Sequence, residues 1–205
     1  PSSGPARGDA KGALAAAAVR MDVVYTTPRE YSCPMEPLGA IATWDDDGAL
    51  TVWMPSQWAQ GARRAFSEWF AIPMEKVRVI SPFVGGGFGV KVTAHADSLL
   101  AAMAAREMRR PVKLALSRPQ NFTGNGLRPA IRQKLTLGAS EDGKLQVLIH
   151  ENTSETSVDD DYVEGGAATA RVMYAVPNLS STQKLVRVSS FTPRSEERRV
   201  GKECR

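Results

Sequence analysis

Two pairs of β-rich runs, each joined by a short acidic turn, constrain the fold most strongly. The first pair is GAIATW and ALTVWM around Asp45–Gly48, and the second is IRQKLTLGAS and KLQVLIHEN around Glu141–Gly143. Asp side chains supply local hydrogen bonds and Gly permits a positive φ, so each pair predicts a β-hairpin. Alternation along the second hairpin predicts two apolar rows, Leu135 with Leu137 and Leu145 with Val147 and Ile149.

Helical patterns separate these runs. In WAQGARRAFSEWFAI, Ala62, Phe66 and Phe70 recur at four-residue spacing, which predicts a helix with one buried face. HADSLLAAMAAREMRR predicts a second helix that ends at basic residues before Pro111. KVRVISPF and PVKLAL predict further strands, and GDAKGALAAAAVR a short helix. The expected fold class is α+β, with mixed or antiparallel sheets and packed helices.

Composition excludes several classes of function. With 42% hydrophobic residues among 205, the chain can bury a core. Cys33, Cys204, His95 and His150 have no metal-ligand spacing, and two cysteines form no disulfide framework. The run GALAAAAV is too short to span a membrane, so we expect no membrane segment and no signal peptide. His95, before the second helix, is expected to be a surface or packing residue rather than a ligand.

The net charge of +4 does not indicate nucleic-acid binding. The segment Arg194–Arg205 holds five Lys or Arg and three Glu, and the remaining 21 basic and 19 acidic residues nearly balance. This tail resembles the in-frame translation of a sequencing-library adapter, so we expect the genuine protein to stop near Pro193. The alternative is a solvated, charged tail of authentic sequence.

The run SPFVGGGFGVK, Ser81–Lys91, has four glycines directly after an apolar strand. It is not a Walker loop, because Val90 and Val92 occupy the last glycine and hydroxyl positions, and it lacks the third glycine of a dinucleotide fingerprint. The glycines permit left-handed backbone and close approach to a bound group, and successive N–H groups can bind an oxygen anion. A packing role where a strand enters a loop is the alternative.

Five segments in a fixed order carry a family resemblance. They are CPMEPLGAIATW, PSQ, GGGFG, RPVKLALSRPQNF and YAVPN. Over Arg7–Pro193 the chain resembles the molybdenum-cofactor-binding large subunit of the xanthine dehydrogenase and aldehyde oxidase family, and is most similar to bacterial three-subunit aldehyde oxidoreductases. The resemblance implies a linker and short helix in residues 1–20, and the N-terminal part of a truncated molybdopterin-binding domain in residues 21–193.

The resemblance also implies site residues. Gln57 matches the glutamine whose side-chain amide donates to an oxygen on molybdenum, and Phe88 matches the phenylalanine at the metal site. Gly86, Gly87 and Gly89 are expected to face the molybdopterin with their amides. No residue is expected to ligate molybdenum directly, and the family's catalytic glutamate is expected beyond the C-terminus, so the chain alone is expected to be inactive.

The family's chemistry implies hydroxylation of an aldehyde or an aromatic N-heterocycle with oxygen derived from water. Val92 occupies the position of a glutamate in the purine-oxidising branch, which favours an aldehyde or another apolar aromatic substrate. Molybdopterin in a dinucleotide form is the expected cofactor, with 2Fe-2S and FAD on two partner subunits, an iron–sulfur subunit and a FAD subunit.

Two questions stay open at the level of sequence. The segment around Glu36 lacks histidines that are common in the family, so its role is undetermined. The alternative function is a non-catalytic α+β binding or scaffold module that uses the glycine run for packing or for an anion.

Overall fold

The computed structural model describes residues 2–3, 6–159 and 161–193, in two compact units. The first unit combines the residues up to Glu30 with Arg128–Pro193, and the second consists of Tyr31–Leu127. The strands are β1 (Ser2–Ser3), β2 (Val19–Thr27), β3 (Gly39–Trp44), β4 (Leu50–Trp53), β5 (Val77–Ile80), β6 (Val112–Ala115), β7 (Ile131–Ala139), β8 (Leu145–Ser157) and β9 (Asn178–Val188). The helices are α1 (Ala10–Ala16), α2 (Ala59–Phe70), α3 (Ala96–Met108), α4 (Arg118–Thr123) and α5 (Ala168–Met173), with a 3₁₀ turn at Met74–Lys76.

The first unit is built on a five-stranded sheet in the order β1-β9-β8-β7-β2. β7 is antiparallel to both β2 and β8, whereas β8 and β9 run parallel. The predicted second hairpin, β7 with β8, is confirmed, and Gly143 in its turn has φ = +81°. β2 and β9 are additional to the predicted strands. The opening segment contains α1, and its residues Ser2–Ser3 pair with β9.

A β-bulge corrects one predicted row of the second hairpin. The register shifts at Ala139, where β8 contributes one residue more than β7. The extra residue reverses the alternation of side chains along β8. Leu145 therefore packs with Leu148 in the core of this unit. The prediction that Leu145 shares a face with Val147 and Ile149 is wrong for this reason.

The second unit is built on a four-stranded sheet in the order β5-β4-β3-β6. The predicted first hairpin, β3 with β4, is confirmed, and Gly48 in its turn has φ = +77°. β4 and β5 run parallel, with α2 between them in the chain. Parallel strands end at the same edge of a sheet. The residues that follow β4, including Gln57, therefore lie beside those that follow β5, which are the glycine run.

Helices α2 and α3 cover this sheet. The predicted row on α2 is confirmed, because Ala62 and Phe66 are fully buried and Phe70 packs edge-on against Trp44 with the ring centroids 5.1 Å apart. α3 contributes small buried residues to the same core, namely Ala101, Ala102 and Ala105. Among the described residues, no helix has the length and apolarity to cross a membrane.

The runs SRPQNF and GNGLRP predict that Arg118 and Arg128 lie on loops. Arg118 instead begins helix α4, so the first of these predictions is wrong. The backbone N–H of Ser117 donates to the side-chain oxygen of Gln120 at 2.8 Å, as in a capping box. The Ser-x-x-Gln spacing was thus a helix signal. Arg128 lies outside the helices and strands, as predicted, in an isolated bridge with Glu30. The adapter-like tail, Arg194–Arg205, lies outside the described residues.

A bidentate ion pair joins β8 to the end of the β2 segment in the first unit. Arg29 Nε and Nη2 donate to the two carboxylate oxygens of Glu155, each at 2.7 Å, and the Ala130 N–H donates to the same carboxylate at 3.0 Å. The side chain of Glu155 is only 13% exposed. The Arg29 hydrogen bond, above all, holds the pKa of Glu155 below its ordinary value of 4.5, against the opposing effect of burial.

We expect Glu155→Gln to lower the free energy of unfolding of the first unit by about 1–3 kcal/mol near neutral pH, because charge-assisted hydrogen bonds are lost. A depressed folded-state pKa stabilises the fold above pH 4.5, and this contribution is lost as pH falls through the lower folded value. The difference between wild type and variant should therefore shrink on acidification. Urea unfolding followed by circular dichroism at several pH values measures it.

The second unit provides an internal control for this measurement. All four tryptophans, Trp44, Trp53, Trp58 and Trp69, lie in that unit, so tryptophan fluorescence follows its unfolding separately. We expect the fluorescence transition to be the same in wild type and variant. A stability difference that stays constant between neutral and acidic pH would contradict the role assigned to Glu155.

Candidate functional site

Residues Gly85–Lys91 of the glycine run form a loop, in which three residues have backbone angles in the left-handed region. Gly86 and Gly89 have φ angles of +85° and +92°, and Phe88 between them has +52°. Glycine adopts these angles freely, whereas a phenylalanine is strained there. The Phe88 side chain is 45% exposed, so burial of the ring does not hold this conformation. The Ser32 hydroxyl does contribute, because it donates to the Phe88 carbonyl at 2.9 Å.

Gln57 is held against this loop by three hydrogen bonds. Its backbone N–H donates to the Lys91 carbonyl at 2.8 Å, and its side-chain oxygen accepts from the N–H groups of Gly89 and Lys91, both at 3.2 Å. Because both partners are donors, the oxygen must be the amide atom that faces the loop. The NH₂ end of the amide is therefore directed away from these two N–H groups.

Gly87 makes the closest approach to Gln57. A Cβ atom built on Gly87 would lie 2.2 Å from the Cδ and Oε1 atoms of Gln57, so this contact requires glycine. The backbone N–H groups of Gly86, Gly87 and Phe88 donate to no atom of the described residues, although Gly87 is buried. Buried backbone donors are normally paired. Adjacent unpaired donors beside an oriented amide form a cradle for a group that carries oxygen atoms.

Lys91 and Glu36 form an ion pair at the base of the loop. The Lys91 side chain is fully buried, and its Nζ donates to Glu36 Oε2 at 2.7 Å and to the Glu36 carbonyl at 3.0 Å. Glu36 Oε2 also accepts from the Gly85 N–H at 2.7 Å, and the Glu36 N–H donates to the Gly85 carbonyl at 3.1 Å. The segment around Glu36 therefore anchors the first residue of the loop, which answers the question that the sequence left open.

The predicted residues Gln57, Gly86, Gly87, Phe88 and Gly89 thus lie together in one unit. Sequence reasoning missed the contribution of Lys91 and the role of Glu36. The signal in the sequence was weak, since a lysine and a glutamate 55 positions apart are each most often solvated.

The segment before β3 is fixed from its other side by α4. The Arg118 guanidinium donates to the carbonyls of Pro34 and Met35, at 2.6 Å and 2.8 Å. From the sequence alone, Arg118 is expected to be a surface charge or a contact for a cofactor phosphate. Its position supports neither, because the side chain holds the backbone that precedes Glu36.

His95 lies at the N-cap position of α3, and its Nε2 forms a hydrogen bond with the carbonyl of Val90, one residue before the end of the loop. Burial raises the pKa of the neighbouring Asp97 carboxyl above its ordinary value of 3.8, and the charge of His95 partly opposes this effect. Within residues 2–3, 6–159 and 161–193, no three His, Cys, Asp or Glu side chains are grouped as metal ligands. This site therefore presents backbone and amide hydrogen-bonding groups.

Comparison with known protein families assigns the chain to one of them. Residues 3–194 match the family described as the molybdopterin cofactor-binding domain. The chain belongs to this family. The predicted fold class and the resemblance to molybdenum-containing oxidoreductases are thereby confirmed.

Curated relatives agree with the assignment. The aldehyde oxidoreductase molybdenum-binding subunit PaoC of Escherichia coli K12 is 43% identical over 147 residues, which are 72% of this chain and 20% of that protein. The carbon monoxide dehydrogenase large chain of Hydrogenophaga pseudoflava is 35% identical over 119 residues, 58% of this chain and 15% of that protein. The chain thus spans a fifth or less of the length of these relatives.

Solved structures share the fold. Quinoline 2-oxidoreductase from Pseudomonas putida 86 superposes with a TM-score of 0.84 and 26% identity, over 93% of this chain and 25% of that one. Aldehyde oxidoreductase from Desulfovibrio gigas superposes with a TM-score of 0.81 and 21% identity, over 93% of this chain and 21% of that one. At 21% identity, the similarity to the Desulfovibrio gigas enzyme shows a shared fold alone.

We expect Gly87→Ala to lower the free energy of unfolding of the second unit by about 1–3 kcal/mol, because the new methyl group displaces the Gln57 amide from its two N–H partners. Urea unfolding followed by tryptophan fluorescence measures this unit. In a Gln57→Ala background the same change should cost much less, because the displaced amide is already absent. Additive effects of the two substitutions would refute the contact.

Proposed function

We propose that the cradle formed by Gln57, Gly86, Gly87, Phe88 and Gly89 is one wall of the molybdopterin site of an oxidoreductase that converts aldehydes to carboxylic acids. The observation that carries the proposal is the oriented Gln57 amide beside the unpaired N–H groups of Gly86, Gly87 and Phe88. Membership in the molybdopterin cofactor-binding domain family supports the nature of the bound group.

The residues fit such a group in shape and in chemistry. The pterin cofactor and its metal present oxygen atoms, and the cradle presents the adjacent backbone N–H donors of Gly86, Gly87 and Phe88 beside the Gln57 amide. The space that a Cβ on Gly87 would take is filled by the Gln57 side chain, so the amide lies directly against the backbone of the loop. Lys91 does not belong to this wall, because its ammonium group is buried against Glu36.

When bound, the cofactor supplies the two-electron oxidation in which an aldehyde and water give a carboxylic acid, two protons and two electrons. The chain's residues orient the reactants. Gln57 and the loop N–H groups would donate hydrogen bonds to oxygen atoms of the bound groups, and this would favour developing negative charge on those atoms in a site that is already organised. The exposed ring of Phe88 is an apolar surface that can exclude water from the reacting carbon.

The catalytic base is proposed to come from another part of the complete subunit. Glu36 is the carboxylate bound to the loop, and its Oε2 already accepts from Lys91 and from Gly85. These two hydrogen bonds commit the Glu36 carboxylate to holding the loop. The proposed base is the glutamate that the family resemblance implies beyond the C-terminus.

An aldehyde is the proposed substrate class. The relative at 43% identity is named as an aldehyde oxidoreductase subunit, whereas relatives named for xanthine are 31–34% identical. Val92, just after the loop, offers no carboxylate to bind a purine. We propose further that the pterin is a dinucleotide form, and that electrons pass to 2Fe-2S and FAD groups on an iron–sulfur subunit and a FAD subunit.

The test uses the complete subunit that contains this sequence, produced with the products of neighbouring genes. We expect molybdenum and pterin in the purified enzyme, and dye reduction that depends on an aromatic aldehyde, with kcat/KM for xanthine lower by at least about 10²-fold. A cofactor-free protein with no aldehyde-dependent turnover would favour the scaffold or anion-binding alternative. Preferential turnover of xanthine would refute the substrate class alone.

We expect Gln57→Ala to lower kcat by about 10²- to 10³-fold, because a donor to the reacting oxygen atoms is removed. Molybdenum content should stay near that of the wild type, because the remaining donors of the loop are unchanged. Gln60→Ala is the matched control, since Gln60 is an exposed glutamine in the first turn of α2. The role of Gln57 is contradicted if both variants have the same kcat.

A further inference from the structure

We infer that Glu36 and Lys91 form a loop clamp, a pair of positioning residues that holds the glycine loop and Gln57 in the geometry of the cofactor wall. The inference rests on the proposed function, because the wall has a catalytic meaning only if a cofactor binds there. Neither residue is proposed to touch substrate or cofactor. Both act through the backbone of the loop.

The clamp closes the loop between its two ends. A single carboxylate oxygen, Glu36 Oε2, accepts from the N–H of Gly85 at the start of the loop and from the ammonium group of Lys91 at its end, each at 2.7 Å. The Glu36 backbone adds one hydrogen bond to each end, to the Gly85 carbonyl and from Lys91 Nζ. The separation of the loop ends is therefore set by one residue, Glu36.

Lys91 transmits this constraint to Gln57. The backbone of Lys91 bonds to Gln57 on both sides, through its N–H to Oε1 and through its carbonyl to the Gln57 N–H. The side chain of the same residue ends on Glu36. A displacement of the Lys91 side chain must therefore move the backbone groups that orient the Gln57 amide.

Burial makes the constraint stiff. The Lys91 side chain has no exposed surface, whereas Glu36 is 39% exposed. A buried ammonium group without its carboxylate is strongly unfavourable, so Lys91 keeps its position only while Glu36 is charged and in place. Arg118 in turn fixes the backbone just before Glu36, through the carbonyls of Pro34 and Met35.

The first variants remove one or both charges in the complete enzyme. Glu36→Gln leaves the ammonium group of Lys91 without a counter-charge, which opposes folding. The double variant E36Q/K91M removes both charges and leaves no buried ion, so the test does not depend on the single variant. Glu36→Asp keeps the charge and shortens its reach by one methylene group. We expect the largest effects in E36Q/K91M and smaller effects in Glu36→Asp.

Amide hydrogen exchange, resolved to single residues by mass spectrometry, is the main measurement. The amides of Gly89 and Lys91 donate to Gln57, so loss of the clamp should accelerate their exchange by about tenfold, while amides in the β4–β5 ladder keep wild-type rates. A general loss of stability would accelerate the ladder as well. Wild-type exchange at Gly89 and at the substituted position 91 in E36Q/K91M would overturn the inference.

Chemical modification gives an independent readout. Lys91 should resist acylation by acetic anhydride in the wild type, because its side chain is fully buried, and should become reactive in Glu36→Asp.

The matched control for the exchange measurement on E36Q/K91M is D161N/R187M, which removes an exposed bidentate pair of the first unit. This control should leave exchange at Gly89 and Lys91 unchanged.

Kinetics separate the clamp from the proposed function. In E36Q/K91M we expect kcat to fall by about tenfold with KM for the aldehyde nearly unchanged, as expected when the reacting groups and not the substrate are misplaced. If the enzyme contains no cofactor, the proposed function fails, but exchange at Gly89 and Lys91 still decides on the clamp. If the enzyme is active and this exchange does not change, the clamp fails and the proposed function stands.

Discussion

The parallel pairing of β4 with β5 is the constraint on which the site depends. The strands are in register from Leu50 with Val77 to Trp53 with Ile80, so both end at one edge of the sheet. Gln57 follows the first strand by four residues, and the glycine loop follows the second. A shift of the register by two residues would move the loop by about 7 Å along the strand direction and remove Gln57 from its hydrogen bonds.

Two unfavourable features are concentrated at this edge and are offset locally. A phenylalanine in the left-handed region costs about 1–2 kcal/mol, and the buried Lys91 ammonium group requires a charged partner. The Ser32 hydroxyl donates to the loop backbone, and the side-chain oxygens of Gln57 and Glu36 accept from its N–H groups. These hydrogen bonds hold the loop in spite of both costs. Such strain is retained where the surrounding contacts determine the conformation, which is typical of binding sites.

Local sequence patterns were sufficient for the elements whose signals are local. Both hairpins, the buried face of α2 and helix α3 follow from turn residues and from periodicity. The bulge that turns Leu145 toward Leu148 could not be predicted in this way, because it depends on the register against another strand. The role of Glu36 was equally inaccessible, since it depends on a lysine 55 positions away that becomes fully buried. Gln57 and Phe88 were predicted as site residues from a family resemblance, and no local pattern singles them out.

The balance of charge at the loop determines which kind of hydrogen-bond donor the cradle presents. Glu36 neutralises Lys91, so the groups that remain are neutral donors, namely backbone N–H groups and a carboxamide. Neutral donors in fixed positions stabilise a developing negative charge without binding every anion tightly, because their effect depends on geometry and not on net charge. A free ammonium group in place of the neutralised Lys91 would attract inorganic anions into the cradle. The ion pair thus has two consequences: it holds the loop closed, and it keeps a full positive charge away from a cradle of neutral donors.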